Sequence, residues 1–394
     1  MTGMYDVAVV GAGPAGSAAA LRVLQLRPDA HVLLLDAARF PRDKTCGDGV
    51  AAGVFDLLAA LGVPDLAGLG GPVPRLHVRS SRGAVADRHC ARPNRVVPRA
   101  VLDHALVAAC VDRGVRLRRQ RVRRVEAHPG HVVLDGDTAA RTVIGTDGAN
   151  SVVRRSLGIR SRPRDAAVAV RGYSPHAPVT PGALHIAFAE GRRPAYAWSF
   201  PLADGGANVG YGIFDGTAPT SRDELLAGLD AQLPGQELDP ATVRGHRLPL
   251  STGGRVQPDG RVLLAGDAAA LVNPLTGEGI FDAVASGVLA GQAALCGAAA
   301  GAVHRASLRR CFGRHHRHTA ALARLMRSPR FVHAAVLAAA RDRAVFDDVV
   351  DVGLGRGVAH ARTLAAIGAV FVWPGTGGRP SFSPGLLRPA ATRA

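Results

Sequence analysis

Three glycine-bearing stretches and one loop carry the residue types that could do chemistry. Gly11-Ala12-Gly13-Pro14-Ala15-Gly16 has the spacing of a phosphate-binding turn. In such a turn the first glycine permits the bend. The second lets backbone approach a pyrophosphate, and the third lets a helix pack closely on its strand. Asp36, about twenty residues further on, stands where a carboxylate can accept from a ribose hydroxyl. The second stretch is Gly145-Thr146-Asp147-Gly148-Ala149-Asn150-Ser151, at the end of a short apolar run. The third is Gly266-Asp267, continued by Asn273-Pro274-Leu275-Thr276-Gly277-Glu278-Gly279-Ile280. Each is a place where backbone can turn toward a ligand. The loop is Arg42-Asp43-Lys44-Thr45-Cys46-Gly47-Asp48-Gly49. Lys44 is the only lysine in a chain that otherwise uses arginine. Lysine is a compact charge that shifts its pKa readily, which guanidinium does not, so a lysine-specific role stands beside chance. Cys46 is either a buried small residue or a thiol facing a ligand.

The elements that must position these residues follow from pattern. Tyr5–Val10 and His31–Leu35 read as apolar strands flanking a helix that runs to Leu26. The first helix N-terminus would then point free N–H groups at a phosphate. Val50–Leu61 reads as a helix stopped by Gly62. Arg75–Arg79 and Ala84–Arg88 flank Ser80-Ser81-Arg82-Gly83 as a hairpin. Ala100–Arg113 is a helix with Arg99 at its start, where a cation is disfavoured; that position hints at an anion to bind. Val115–Val125, His131–Leu134 and Thr142–Gly145 are strand-like, and Val152–Arg155 is helical. From about Arg160 to Leu250 strands dominate, near Ala166–Gly172, Ala183–Ala189, Ala195–Pro201 and Ala207–Phe214. Tyr196, Trp198 and Phe200 alternate and so share one face. That face is either ordinary core or an apolar cavity wall whose phenol and indole N–H serve as polar handles. Arg261–Ala265 is a further strand. The remainder to about Val372 is helical, with breaks near Gly301, Ser328-Pro329 and Gly353–Gly357. Arg314-His315-His316-Arg317-His318 is expected to form a solvated basic face rather than a metal site. Ala365–Trp373 is apolar and either docks on the body or touches lipid, and the tail from Pro374 looks loose.

Composition bounds the function. At 394 residues and 47% hydrophobic content the chain is globular with ample core. The first strand begins almost at once, leaving no room for a signal peptide, and no charge-free apolar stretch of about twenty residues marks a membrane span. Five scattered cysteines without CxxC spacing suit a reducing cytoplasm and argue against a disulfide frame or structural zinc. The net charge of +17 is spread along the chain with no nucleic-acid motif, so arginine-rich composition is favoured over attraction to anionic partners such as diphosphates, acidic carriers, lipid surfaces or nucleic acid.

Taken together the motifs resemble the geranylgeranyl reductase family of FAD-dependent oxidoreductases, flavoproteins of glutathione-reductase type related to aromatic hydroxylases. The first glycine turn, the Asp147-Gly148 turn and the Gly266–Ile280 stretch are similar to that group's FAD motifs. Arg42-x-Lys44-x-Cys46-Gly47 and Tyr196-x-Trp198-x-Phe200-Pro201 point to the reductase branch. The resemblance implies an α/β fold: a Rossmann-like FAD-binding domain, an inserted antiparallel β-sheet substrate domain and a helical C-terminus. The expected boundaries are 1–72, 96–160 and 253–300 for FAD binding, 73–95 and 161–252 for substrate, and 301–394 for the helices. It implies that Gly11, Gly13, Ala15, Gly16, Asp36, Arg42, Cys46, Gly47, Arg99, Asp147, Asp267, Pro274, Gly277, Gly279 and Ile280 bind the cofactor. Lys44, Cys46, Tyr196 and Trp198 would do the chemistry, with Cys46 or Tyr196 as proton donor. The implied reaction is reduction of carbon–carbon double bonds in an apolar, isoprenoid-like substrate. NAD(P)H or a reduced, acidic ferredoxin-like protein would supply electrons transiently. A monooxygenase on the same fold is the rival; a halogenase and a non-enzymatic flavin binder are weaker alternatives. A cytoplasmic location with peripheral membrane contact is expected, in natural-product metabolism.

Overall fold

The computed structural model describes residues 3–160, 162, 165–175, 177, 182–191, 193–252 and 257–372. Its strands are β1 (Tyr5–Val10), β2 (Val32–Asp36), β3 (Gly49–Val50), β4 (Gly71–Arg79), β5 (Val85–Val96), β6 (Arg116–Arg119), β7 (Val125–Ala127), β8 (Val132–Leu134), β9 (Thr138–Gly145), β10 (Ala166–Ser174), β11 (Ala183–Phe188), β12 (Ala195–Pro201), β13 (Ala207–Ile213), β14 (Arg244–Pro249) and β15 (Val262–Leu264). The helices are α1 (Pro14–Leu26), α2 (Ala52–Ala60), α3 (Arg99–Asp112), α4 (Val152–Ser156), α5 (Arg222–Gln232), α6 (Ile280–Ala294), α7 (Ala300–Leu325), α8 (Pro329–Arg341), α9 (Arg343–Leu354) and α10 (Ala361–Val372).

One sheet runs β6-β2-β1-β9-β8-β7. The ladders β6-β2-β1-β9 are parallel, and β15 joins the end of β9 in parallel as well. β1 and β2 are continuous apolar runs because helices cover both faces. Val7 to Val9 and Leu33 to Leu35 have no exposure at all. α1 and α6 press together through missing side chains. A Cβ on Gly287 would lie 2.2 Å from the Ala15 carbonyl, and one on Gly291 would lie 2.4 Å from that of Ala19.

The second sheet runs β14-β10-β13-β12-β11-β4-β5-β3. It is antiparallel except where β11 joins β4 in parallel, since the early β4–β5 hairpin meets a strand arriving from the later insertion. α8, α9 and α10 cover part of this sheet, burying Val332, Val336, Phe346 and Ile367 against Val73, Leu76 and Leu184. Among the described residues no helix is long and apolar enough to cross a membrane.

Three local expectations change. The strand expected over Val115–Val125 stops at Arg119, because the Asp135 carboxylate takes the N–H groups of Arg123 and Arg124. α5 lies inside the stretch expected to be sheet. Ser221 accepts from Glu224 N–H at its start, and Leu225 and Leu229 are buried. Ser221-Arg222-Asp223-Glu224 is a capping-box spacing that announces it. The basic face expected at 314–318 is wrong for two histidines: His315 and His316 are buried at 2% and 3% exposure. Helical period turns them inward while Arg314 and Arg317 stay exposed. Trp373 and the tail lie outside the described residues.

Candidate active site

The first glycine turn is fixed by backbone. Gly11 has φ +105°, and a Cβ there would lie 2.4 Å from the Thr146 carbonyl oxygen. A Cβ on Gly16 would lie 1.8 Å from the Gly11 carbonyl oxygen. Both positions admit glycine alone. Gly13 differs, since a Cβ there meets only the Arg99 and Arg42 guanidinium nitrogens, at 3.7 and 3.8 Å. The first turn of α1 carries no acid. Helix N–H groups and two guanidiniums thus surround one spot, as an anion requires. Asp36 stands at the end of β2, accepting from Ala12 N–H at 2.9 Å and Ala38 N–H at 2.8 Å. The cradle therefore fits a dinucleotide: space at Gly13 for diphosphate, and a held carboxylate beside it.

Arg99 is not the lone cation its position suggested. Asp103, one helical turn on and fully buried, takes it through two bonds of 2.8 and 2.7 Å. The same carboxylate takes Arg42 at 3.0 Å. Asp103 fixes both guanidiniums, and Asp36 lies 3.8 Å from Arg42, so two arginines stand against two acids and the unpaired N–H groups at the start of α1 supply the remaining attraction for an anion.

The second and third turns close on the first. Thr146 Oγ1 donates within reach of the carbonyls of Val10 and Gly11, at 2.9 and 2.7 Å. Ala265 N–H bonds the Gly145 carbonyl at 3.0 Å. Arg154 reaches from α4 to the carbonyls of Ala149 and Ala268, at 2.6 and 3.1 Å. Asp147, expected to face the cofactor, has its carboxylate engaged elsewhere. It accepts from Ser151 Oγ at 2.5 Å and from Val152 N–H at 2.6 Å, holding the start of α4. Ala15 contributes close packing against Gly266 and Gly287.

Lys44 pairs with Asp267 at 3.1 Å, joining the loop to the third turn. Burial pushes the Asp267 carboxyl up, but Lys44, His246 and Arg99 outweigh it and hold the group below its ordinary value. The rest of the loop is clamped from the second sheet. Asn208 Nδ2 donates to the Cys46 carbonyl and to Asp48 Oδ2, both at 2.8 Å, while its Oδ1 accepts from Trp198 Nε1 at 3.0 Å. Tyr173 donates to the same Asp48 oxygen at 2.7 Å. Arg171, fully buried, reaches Asp43 and the Thr242 carbonyl. Asp48 and these partners escape a reading of motifs, because nothing local announces a contact across 160 positions.

Between this loop, the second sheet and the start of α6 lies a cavity of about 220 Å³. Tyr196, Trp198, Phe200 and Phe214 line it with their rings, together with Cys46, Gly47 and Gly277–Ile280. Val349 and Val350 of α9 also line it, so the late helices help to close a cavity whose walls were sought in the middle of the chain. A second cavity of about 160 Å³ shares Leu76, Val78, Phe188 and Thr276 with the first. The expected polar handles do not point into this space. Tyr196 donates to the Thr276 carbonyl and Trp198 to Asn208. Pro274 is buried in a turn braced by Asn273, whose Nδ2 reaches the Val352 carbonyl at 3.0 Å.

Glu278 is the one carboxylic acid on the cavity wall among the described residues. It is the functional candidate missed among the quoted motif residues, and its flanking glycines were the signal. Phe281 N–H donates to it at 2.9 Å. Burial, and then the Asp282 carboxylate, push it up to about 8. Burial and then Asp48 push the Cys46 thiol up as well.

The family model described as "FAD binding domain" matches residues 4–198. The menaquinone reductase of Mycolicibacterium smegmatis is 36% identical over 73% of this chain and 75% of its own length. Digeranylgeranylglycerophospholipid reductase 1 of Methanopyrus kandleri is 33% identical over 74% and 80%. A geranylgeranyl bacteriochlorophyll reductase-like protein of Thermoplasma acidophilum superposes with TM-score 0.76 at 20% identity, covering 94% of this chain and 97% of its own. A flavin-dependent brominase, Bmp2, superposes with TM-score 0.72 at 18% identity, covering 94% and 98%. These two likenesses are of fold.

Proposed function

This chain belongs to the geranylgeranyl reductase family of FAD-dependent oxidoreductases, and from that premise we propose that it reduces carbon–carbon double bonds of a long, isoprenoid-like chain. One observation carries the reading. An aromatic and aliphatic cavity is lined by Gly277–Ile280 and by Cys46-Gly47, with Glu278 as its one carboxylic acid among the described residues. An apolar chain fills such a space; a charged or hydroxylated substrate would leave its polar groups unmatched. The adjoining second cavity gives room for length.

In this reading the α1 N-terminus, Arg42 and Arg99 hold the FAD diphosphate. Asp36 would hold the adenosine ribose, and Lys44 and Asp267 would contact the cofactor between its two ends. Bound and reduced, FAD supplies a hydride equivalent. The chain's own residues do the rest. The aromatic wall lays the double bond against the Gly277–Ile280 turn and excludes water. Glu278, protonated at neutral pH, delivers a proton to the carbon opposite the hydride. One hydride and one proton add across the bond, so atoms and electrons balance. A general acid is most effective with a pKa near the working pH, which Glu278 meets and the Tyr196 phenol, pushed further up by burial, does not. We assign the proton to Glu278 in place of Cys46 or Tyr196. NAD(P)H or a reduced ferredoxin-like donor would supply the electrons.

The test is anaerobic. Purified holoprotein, dithionite and a geranylgeranyl substrate should yield product heavier by two hydrogens per reduced bond, at a rate unchanged by excluding oxygen. Product that appears only with oxygen, heavier by one oxygen atom, would replace this reading with the monooxygenase.

A further inference from the structure

Two of the histidines expected on a solvated face meet an aspartate two residues beyond the third glycine stretch. Asp282 lies in the first turn of α6, and His315 and His316 lie in the middle of α7. Their exposures are 2%, 2% and 3%. One ligand atom from each lies within 4.8 Å of the others, and His316 Nε2 stands 3.7 Å from Asp282 Oδ2. Two atoms bound to one ion at about 2.0–2.1 Å are separated by somewhat less than this, so a small side-chain shift closes the set.

The tautomer of His315 is settled by its neighbour. Its Nδ1 lies 2.7 Å from the Gly357 carbonyl, which can only accept. Nδ1 therefore carries the proton, and Nε2 presents a lone pair. That nitrogen is buried and has no hydrogen-bond partner among the described residues. A ring nitrogen held to a backbone carbonyl, with the other left bare, is the orientation that ligating histidines adopt. Phe312 stacks on the His316 ring at 5.1 Å and fixes its plane.

We propose that Asp282, His315 and His316 bind a divalent cation of the zinc class, tying the first turn of α6 to α7 and, through Gly357, to the segment after α9. Two imidazoles and one carboxylate suit zinc or cobalt rather than calcium or magnesium, which favour all-oxygen sets. Three protein ligands leave a fourth position for water. The alternative occupant of the same space is an ion pair between His316 and Asp282 without metal.

FAD-loaded protein is stripped with chelator and dialysed against zinc, and bound metal is counted by mass spectrometry. The expected result is one zinc per chain, with the melting temperature rising as zinc is added. Asp282→Asn and His315→Gln should each weaken uptake by more than about 100-fold, beyond the range of an outer contact. FAD content and far-UV circular dichroism identify a variant that has failed to fold. Wild-type protein that takes up no zinc overturns the site, whatever the variants do. So does uptake that both folded variants match, which would place the metal on other histidines.

Discussion

The two ends of the active site are built differently. At the nucleotide end the turn itself is set by backbone limits, Gly11 against Thr146 and Gly16 against Gly11, and side chains such as Asp36, Thr146 and Asp103 brace it. At the cavity end the constraints are side chains meeting across the chain. Asn208 reaches Cys46 over 162 positions, and Thr276 Oγ1 reaches the Gly353 carbonyl at 2.7 Å. The first kind of site depends on conformations that glycine supplies, and it serves any substrate. The second can be recut one side chain at a time. In the proposed function, cofactor use and substrate choice are thereby separated in one molecule.

The contrast breaks most visibly at the first turn. Gly16→Ala sets a Cβ 1.8 Å from a backbone oxygen that has no flexible end to move aside. A loss above about 4 kcal/mol is expected, seen as insoluble protein without flavin. Gly13→Val places its side chain toward guanidinium ends instead. It should fold, keep its circular dichroism, and retain under about a tenth of the wild-type FAD. A yellow Gly13→Val holoprotein would show that the diphosphate does not lie there.

That pair of glycines also shows why this end is legible in a sequence. Turn, helix and following strand are neighbours in the chain, and their glycines mark steric limits that hold in any fold of the class. The sheet strands of the insertion follow in the same local way, from short apolar runs set off by Pro and Gly turns. The cavity end is not local. Asp48 between its two glycines gives no sign that Tyr173 and Asn208 will close on it. Arg99 at a helix start suggests an unmet charge, yet Asp103 satisfies it one turn later. The pairing of α9 with the Asn273–Thr276 turn rests on carbonyls of Val352 and Gly353, and a carbonyl has no letter in the sequence.

The next largest effect is at Glu278. Glu278→Gln keeps size and shape while removing the proton, so FAD should remain bound while kcat falls by about 10²-fold or more. The pH profile sharpens the assignment. An acid must be protonated to act, so wild-type turnover should decline as pH rises through about 8, and that limb should vanish in the variant. The profile is taken after chelation, because a cation at Asp282 would weaken one of the forces holding Glu278 protonated. A profile flat from 6 to 9 in wild-type protein would remove Glu278 as donor.

Lys44→Met acts between the two ends. It removes the charge held 3.1 Å from Asp267 and leaves a carboxylate supported by His246 and Arg99. Since Lys44 keeps 28% of its side chain in solvent, the loss is set between an exposed and a buried pair, at about 1–2 kcal/mol. FAD should dissociate about tenfold faster, and Lys44→Arg should restore most of the difference. If Lys44→Arg is as slow in turnover as Lys44→Met while holding FAD normally, lysine has a chemical role beyond its charge.

The smallest effect is expected at Cys46, and it decides whether the division between the two ends is drawn in the right place. The thiol lines the cavity and accepts from Asp48 N–H at 3.3 Å. Burial and the Asp48 carboxylate push it up, so it is a weaker acid than Glu278 at neutral pH. A serine hydroxyl can accept the same N–H in nearly the same volume. Cys46→Ser should therefore change kcat by less than about threefold, because the proton comes from Glu278. A loss near 10²-fold in Cys46→Ser, with Glu278→Gln unimpaired, would move the acid to the loop. Substrate orientation would then depend on Asn208 and Trp198, which hold that loop in place.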